Sequence, residues 1–442
     1  MQALTMTLGA FALILVLARL KVPLTGAILA GAVACGLGFG MDLRELALRV
    51  VEAVVQPRTL SLMVIVSCLM ALSGTMQAGG QMKRIVALAR SILRSPAVAM
   101  AALPAIIGML PMPGGALFSA PMVESAAGGA SVSRGRMSAI NYWFRHVWEY
   151  WWPLFPGVIV AVAITGVGIG NFVIFHLPLS AVSIAAGLLI FRKTHPDLHT
   201  KASGPPRGAK RSFVKATSSI WMVLLVWVVV KVVVSLASDG VADPSDADET
   251  ESYLQLTGEA LRTYLPIMAG ISVSLIFTTV TNKIDKTAAR KIWSDRRIRQ
   301  MVMLVASVMV FQHVLNQADA PARIAAELTA MKVPVVAVFA ILPFIAGLVM
   351  GIAVGFVGTS FPILMGMLTA LPDAGDPRPY VAIGYLFGHM GQMMSPLHLC
   401  QIVSNKYFGT GFAPVYVQIV PVAALTAMAG SAYVAVLMLF MN

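Results

Sequence analysis

The chain has 442 residues, of which 58% are apolar and 12% charged, with a formal net charge of +13 and a mean hydropathy of +0.82. A soluble domain carries about 25% charged residues, so this chain cannot cover a water-facing surface and reads as an all-α integral membrane protein. The excess Lys and Arg falls between apolar runs, as in cytoplasmic loops, and without a basic-aromatic face or a nucleic-acid motif it excludes nucleic acid as a partner.

A bilayer crossing needs about 20 apolar residues. Runs of that kind fall near 3–19, 23–40, 59–77, 97–123, 139–164 and 172–191. The first lacks a basic leader and a convincing cleavage site and is expected to stay as a helix. A polar linker over 193–215 follows; it holds Gly204-Pro205-Pro206-Arg207-Gly208, a flexible loop. The second set falls near 217–237, 262–281, 301–317, 334–370, 380–404 and 413–440. Charged, helix-like stretches at 43–57 and 283–299 separate the second and third runs of each set and read as lying along the membrane surface.

The two sets repeat one another. Tyr142, Phe144, His146, Pro153 and Leu154 match Tyr385, Phe387, His389, Pro396 and Leu397 at one constant offset. Gln77-Ala78 before Arg84-Ile85 matches Gln317-Ala318 before Arg323-Ile324, and Leu103-Pro104 matches Leu342-Pro343. The organisation expected is a first repeat over 1–192, a cytoplasmic linker over 193–215 and a second repeat over 216–442. Basic clusters fix the orientation. Lys83, Arg84, Arg90 and Arg94 precede the fourth run, and Arg134 and Arg136 follow it. Both ends of that run are therefore cytoplasmic, so it does not cross and is a re-entrant hairpin. Five crossings per half then invert the second repeat relative to the first and leave both termini external. Inverted repeats with broken helices are the organisation of secondary transporters.

The first hairpin tip reads Leu110-Pro111-Met112-Pro113-Gly114-Gly115-Ala116-Leu117-Phe118-Ser119-Ala120-Pro121. Proline inside a helix costs about 3 kcal/mol, and irregular backbone at membrane depth is tolerated only where it is buried in protein or lines a cavity. The tip should present free N–H groups and a helix N-terminus, which favours anions. The second tip, Gly351 to Pro362, has Gly358 for close approach and Thr359 and Ser360 as hydroxyls for a substrate or cation, or for small-residue helix packing.

Between Asn141 and Pro156 lie Arg145, His146 and Glu149, each costly at membrane depth (about 2.5–3.5 kcal/mol for a central charge) and so paired or functional. Arg145 and Glu149 have the i,i+4 spacing of one helix face. They form either an internal ion pair or a site in which Arg145 meets an anion while Glu149 or His146 moves a proton. Pro153 and Pro156 should break this helix. Trp143, Trp148, Trp151 and Trp152 form an interfacial belt or line a pocket. The second copy has Gly388 for Arg145 and Gln392 for Glu149, keeps His389, and adds Ser395 and His398. Gln312, His313 and Asn316 add polarity to another run. Cys35, Cys68 and Cys400 lack metal-ligand spacing and read as small core residues, so no metal is expected. No zincin, nucleophile-elbow or phosphate-loop signature is present, which argues against an enzyme.

The Pro-Met-Pro-Gly-Gly tip, the Asn-x-Trp-Phe-Arg-His-x-Trp-Glu-Tyr segment and the doubled architecture resemble a prokaryotic membrane family catalogued as a domain of unknown function. That family looks like a branch of the ion transporter superfamily, with the arsenite, citrate, gluconate and dicarboxylate permeases. The resemblance implies two inverted repeats of five transmembrane helices around a central substrate, and a transport domain moving as an elevator against a homodimeric scaffold. It makes the tips at Pro113, Gly114 and Gly115 and at Gly358, Thr359 and Ser360 binding elements. The sodium-coupled dicarboxylate carriers have Ser-Asn-Thr tips, which this chain lacks; titratable Glu149, His146 and His389 make proton coupling more attractive.

The expected function is a secondary transporter of a small organic anion in a bacterial or archaeal cytoplasmic membrane, coupled to H+ or Na+ and needing no other cofactor. A sodium–proton exchanger without organic substrate is the alternative. The expected substrate-binding residues are Pro113, Gly114, Gly115, Ser119, Asn141, Arg145, Gly358, Thr359, Ser360, His389, Gln392 and Ser395. The expected coupling residues are His146, Glu149, His313 and Asn316.

Overall fold

A computed structural model describes residues 2–93, 95–109, 115–128, 132–192, 208–238, 249–371 and 375–441. Every regular element among them is a helix. The first half contains α1 (Gln2–Arg19), α2 (Leu24–Gly38), α3 (Leu43–Val55), α4 (Pro57–Ala78), α5 (Gln81–Ile92), α6 (Pro96–Gly108), α7 (Ala116–Ala127), α8 (Arg134–Arg145), α9 (Pro156–Thr165) and α10 (Ile169–Arg192). After a short α11 (Ala209–Ala216) come α12 (Ser218–Ser238), α13 (Glu249–Thr281), α14 (Lys286–Trp293), α15 (Arg296–Gln317) and α16 (Ala320–Ala330). The chain ends with α17 (Val335–Met350), α18 (Ala353–Thr369), α19 (Pro377–Met394), α20 (Leu399–Phe408) and α21 (Phe412–Met441). Seven of these helices are long and apolar enough to cross a membrane, and the molecule is a multi-pass membrane protein.

Local chemistry sets the breaks. Proline opens α4, α6, α9 and α19, at the position where its missing N–H would be unpaired anyway. Ser133 caps α8 by accepting from the Arg136 N–H, and Asp376 caps α19 by accepting from the Arg378 N–H. The Arg378 side chain hydrogen-bonds the same carboxylate and holds Asp376 below the usual carboxylate range. Between α17 and α18 stand only Gly351 and Ile352. Because α17 and α18 pack on each other, the chain doubles back there, through a Gly351 φ of +63° that a side chain would strain.

The runs read from the sequence reappear as helices, with three corrections. The helix through Asn141 ends at Arg145, before Pro153 and Pro156; residues 146–155 are turns, so Arg145 and Glu149 do not share a helix face. The second hairpin reverses at Gly351–Ile352, which puts Gly358, Thr359 and Ser360 inside α18 rather than at its tip. Helices α5, α11 and α16 fall where charge masked the apolar pattern.

The chain divides into two compact units, one of residues 1–51, 93–204 and 307–442, the other of 52–92 and 205–306. Neither coincides with residues 1–192 or 216–442, because compactness follows contacts rather than chain order. In the first unit α6 packs on α7 and α8, and α17 on α18 and α19; α9 packs on α18, α20 on α7 and α8, and α1 on α2 and α16. Its core includes Phe172, Phe356 and Phe361 around Tyr385. In the second unit α13 packs on α4 and α12, and α11 on α5. A polar clasp ties these helices. Gln81 donates to the Ala216 carbonyl (2.7 Å) and to Ser219 Oγ (2.9 Å), and accepts from Asn282 Nδ2 (2.9 Å).

Candidate functional site

The first unit concentrates its buried polar residues where α8 and α19 end. Two glycine contacts bring the backbones together. A Cβ on Gly108 of α6 would run into the carbonyl oxygen of Arg145, and a Cβ on Gly347 of α17 into that of Gly388. Only glycine permits such an approach. Around these contacts the two segments exchange hydrogen bonds. Tyr142 donates its hydroxyl to the carbonyl oxygens of Met393 (3.1 Å) and Gln392 (3.4 Å), and Tyr385 donates to that of Glu149 (2.9 Å). Gln392 Nε2 donates to Glu149 Oε2 at 2.7 Å, across a separation of 243 residues.

The Glu149 carboxylate is the centre of the cluster, with only 12% of its side chain exposed. His146 Nε2 lies 3.9 Å from Oε1 and His389 Nδ1 lies 3.9 Å from Oε2. His398 Nε2 stands 3.1 Å from His146 Nε2. Both rings, with Cys400, are buried. A carboxylate buried in an apolar interior is costly unless it is partnered or functional. Arg145, also buried, projects from the end of α8 toward the start of α7; a Cβ on Gly115 would lie 2.5 Å from both of its terminal guanidinium nitrogens. Gly115 caps α7. A planar, permanently charged fork beside a helix N-terminus is a carboxylate-binding arrangement.

The remaining expected residues are distributed around this cluster. Pro113 and Gly114 lie outside the described residues. Ser119 is buried one turn into α7, with only long contacts to Gly115 O and Ala116 O (3.4 and 3.5 Å). Asn141 Nδ2 donates to Ser404 Oγ (3.0 Å) and toward Ala116 O (3.4 Å). Ser395 is buried at the end of α19, where its Oγ would lie 2.8 Å from a Cβ on Gly351. Thr359 and Ser360 spend their hydroxyls on Gly355 O (2.8 Å) and Phe356 O (2.6 Å), and Gly358 makes room for Val308. His313 is half-buried and Asn316 exposed, both on α15.

Three of the four tryptophans tie segments together through their indole N–H groups. Trp148 Nε1 donates to Ala105 O and Trp152 Nε1 to Met109 O, each at 2.8 Å, and Trp143 Nε1 donates to Ser183 O at 3.0 Å. Spacing four residues apart on both partners puts the first two bonds in register, on carbonyls near the C-terminus of α6 that need partners.

Sequence reasoning missed the polar face of α20. Ser138 Oγ bonds Ser404 Oγ (2.9 Å) and Asn405 Oδ1 (2.7 Å). Among the described residues Asn141 Oδ1, Asn405 Nδ2, Gln392 Oε1 and both side-chain polar atoms of Gln401 are buried without a hydrogen-bond partner. Buried amides of that kind call for a partner, and a polar ligand would supply it. The signal was present as Gln401, Ser404 and Asn405 at helical spacing inside an apolar run.

The sequence model of a family described as protein of unknown function (DUF401) matches residues 3–205 and 256–438. Among solved structures, the YdaH transporter of Alcanivorax borkumensis is similar to the chain with a TM-score of 0.56 and 16% identity, over 90% of this chain and 89% of that one. MtrF of Neisseria gonorrhoeae, presented as illuminating a class of antimetabolite efflux pumps, is similar with a TM-score of 0.50 and 12% identity, over 89% of this chain and 83% of that one. At these identities the likeness is one of fold. No curated protein matches the chain.

Proposed function

The chain belongs to the family described as protein of unknown function (DUF401), and from that premise we propose that it is a secondary active transporter of a small organic anion such as a carboxylate. The observation that carries the proposal is the buried Arg145 guanidinium against Gly115, in one unit with Glu149 and its imidazoles. Arg145 binds the anion. The N-termini of α7 and α20 flank it, and the amides of Asn141, Gln401 and Asn405 supply neutral recognition. Glu149, His146 and His389 take up and release the coupling proton; Na+ is the other coupling ion to test. The reading assigns no chemical conversion.

Inverted repeats are part of the proposal. They are supported by the reciprocal Tyr142 and Tyr385 bonds and by the paired Gly108 and Gly347 contacts. Reciprocal contacts of this kind are what a two-fold axis between the two segments would produce. The division into two compact units supports an elevator motion, and the fold shared with YdaH and MtrF supports transport. A homodimeric assembly, external termini and a bacterial or archaeal cytoplasmic membrane complete the reading.

Purified protein in proteoliposomes tests it. A proton gradient is expected to drive accumulation of at least one labelled carboxylate from a panel, or its expulsion in the reverse orientation. The exchanger reading takes over if the same gradient moves sodium and no carboxylate. That alternative rests on the same Glu149 among imidazoles, which suffices to bind a cation.

A further inference from the structure

We infer that His146, His398 and Cys400 bind one zinc-class ion, a soft divalent transition metal, in the core of the first unit. One ligand atom from each, a ring nitrogen of either histidine and the Cys400 Sγ, lies within 4.8 Å of the others, and all three residues are buried. They come from two breaks far apart in the chain, His146 just after α8 and His398 and Cys400 at the start of α20. The inference goes beyond the transport reading and revises it at one residue, since a metal-bound His146 leaves proton coupling to Glu149 and His389.

The orientation of the two rings is the second line of argument. His146 Nδ1 lies 2.6 Å from the carbonyl oxygen of Tyr142, and His398 Nδ1 lies 3.3 Å from that of Gln392. A carbonyl oxygen only accepts, so each Nδ1 carries the ring proton. If both rings are neutral, each turns an unprotonated Nε2 toward the other, and the two Nε2 atoms stand 3.1 Å apart. Two lone pairs at that distance repel unless a positive centre draws them together. An imidazole that donates its other N–H to a carbonyl is the outer-shell arrangement of metal-bound histidine.

Distances fit a tetrahedral ion. Zinc bonds of about 2.0–2.1 Å to nitrogen and about 2.3 Å to sulfur hold two ligating nitrogens roughly 3.3 Å apart and nitrogen and sulfur roughly 3.6 Å apart. The nitrogens already stand at 3.1 Å, and all three atoms fall within 4.8 Å, so closure needs a shift of about an ångström at the thiol. The rings meet at 83° with centroids 4.6 Å apart, so they approach from different directions rather than stacking. A thiolate and two imidazoles select a zinc-class ion over magnesium or calcium. The fourth position is open to Glu149, whose Oε1 lies 3.9 Å from His146 Nε2, or to a ligand. A proton shared by the two imidazoles is the competing occupant, and it requires no thiol; Cys400 decides between them.

The test uses full-length protein in detergent, stripped with a chelator and titrated with Co2+ as a spectroscopic stand-in for Zn2+. One equivalent should bind with tetrahedral absorption bands and a thiolate-to-cobalt charge-transfer band, and one equivalent of Zn2+ should bleach both. The protein with Cys35→Ser and Cys68→Ser keeps only Cys400 and should retain the band, so the assignment stands even if Cys400 variants fold poorly. Cys400→Ser should abolish the band and weaken metal binding beyond the roughly 100-fold that loss of an outer-shell partner costs. His398→Gln should also weaken binding. Absence of stoichiometric binding, an octahedral spectrum without the sulfur band, or loss of the band from the protein that keeps only Cys400 overturns the inference in favour of the shared proton. Metal binding is read from the cobalt spectrum and anion uptake from the proteoliposome assay, so failure of one is told apart from failure of the other; a bound ion would take His146 out of proton coupling and leave that role to Glu149 and His389.

Discussion

At the scale of single residues the molecule is defined by polar side chains in places where polarity is costly. Arg145, His146, Glu149, His389 and Gln392 were legible because each interrupts an apolar run, and a charge at membrane depth needs a reason. The expected Arg145–Glu149 helix pair was not what the structure contains. The helix stops at Arg145, and the Glu149 carboxylate accepts from Gln392 instead. Two residue-level outcomes follow from the proposed roles. Arg145→Gln should abolish anion uptake in proteoliposomes while the protein still elutes as a single folded species; normal uptake would reassign Arg145 to a structural role. Glu149→Gln keeps the shape and a hydrogen-bonding partner for Gln392 but carries no titratable proton. Counterflow of the anion should survive in that variant while accumulation driven by a proton gradient is lost, and retained gradient-driven uptake would remove Glu149 from coupling.

At the scale of helices the determining contacts are backbone against backbone. Gly108 lies over the Arg145 carbonyl, Gly347 over that of Gly388, and Gly391 over that of Phe344. A methyl group at any of these positions must force two helices apart. Gly108→Ala and Gly391→Ala should each cost about 1–3 kcal/mol, the range for overpacking a tight interior, and lower the thermal midpoint in detergent. Gly9→Ala on α1 is the control, since nothing lies within 4 Å of a Cβ there; it should be neutral or stabilising by about 0.5–1 kcal/mol. A fall for Gly9→Ala as large as for Gly108→Ala would mean that helix approach does not set the effect. Helix positions were readable because run length, opening prolines and closing glycines are local signals. The end of α8 was not, since ten residues of turn before Pro156 are held by Trp148 and Trp152 bonding to α6, a partner chosen in three dimensions.

At the scale of the whole molecule the claim most exposed to test is topology. If 97–123 and 334–370 are re-entrant, the ends of each lie on one side of the membrane. Single cysteines replacing exposed Arg90 and Ser133, in a background with the three native cysteines replaced, should react with an impermeant thiol reagent only from the cytoplasmic face. Cysteines at exposed Lys332 and Thr369 should react only from outside. Opposite faces within either pair would remove the inverted symmetry and, with it, the elevator reading. The order of amino acids by itself determined a helical, multi-pass membrane protein, because hydrophobic run length, charge between runs and helix-breaking residues act within a few turns of chain. It also carried the match of Tyr142, Phe144 and His146 with Tyr385, Phe387 and His389 at one constant offset, which needs no structure to be seen. Only the tertiary structure decided that His146 meets His398 and Cys400, that Gln392 faces Glu149, and that the amides of α20 line the same interior. Those meetings depend on which helices pack closely enough to bury one another's polar groups, and that choice is made by close backbone approach between segments some 250 residues apart, as with His146 and His398 at 252, where no local pattern can reach.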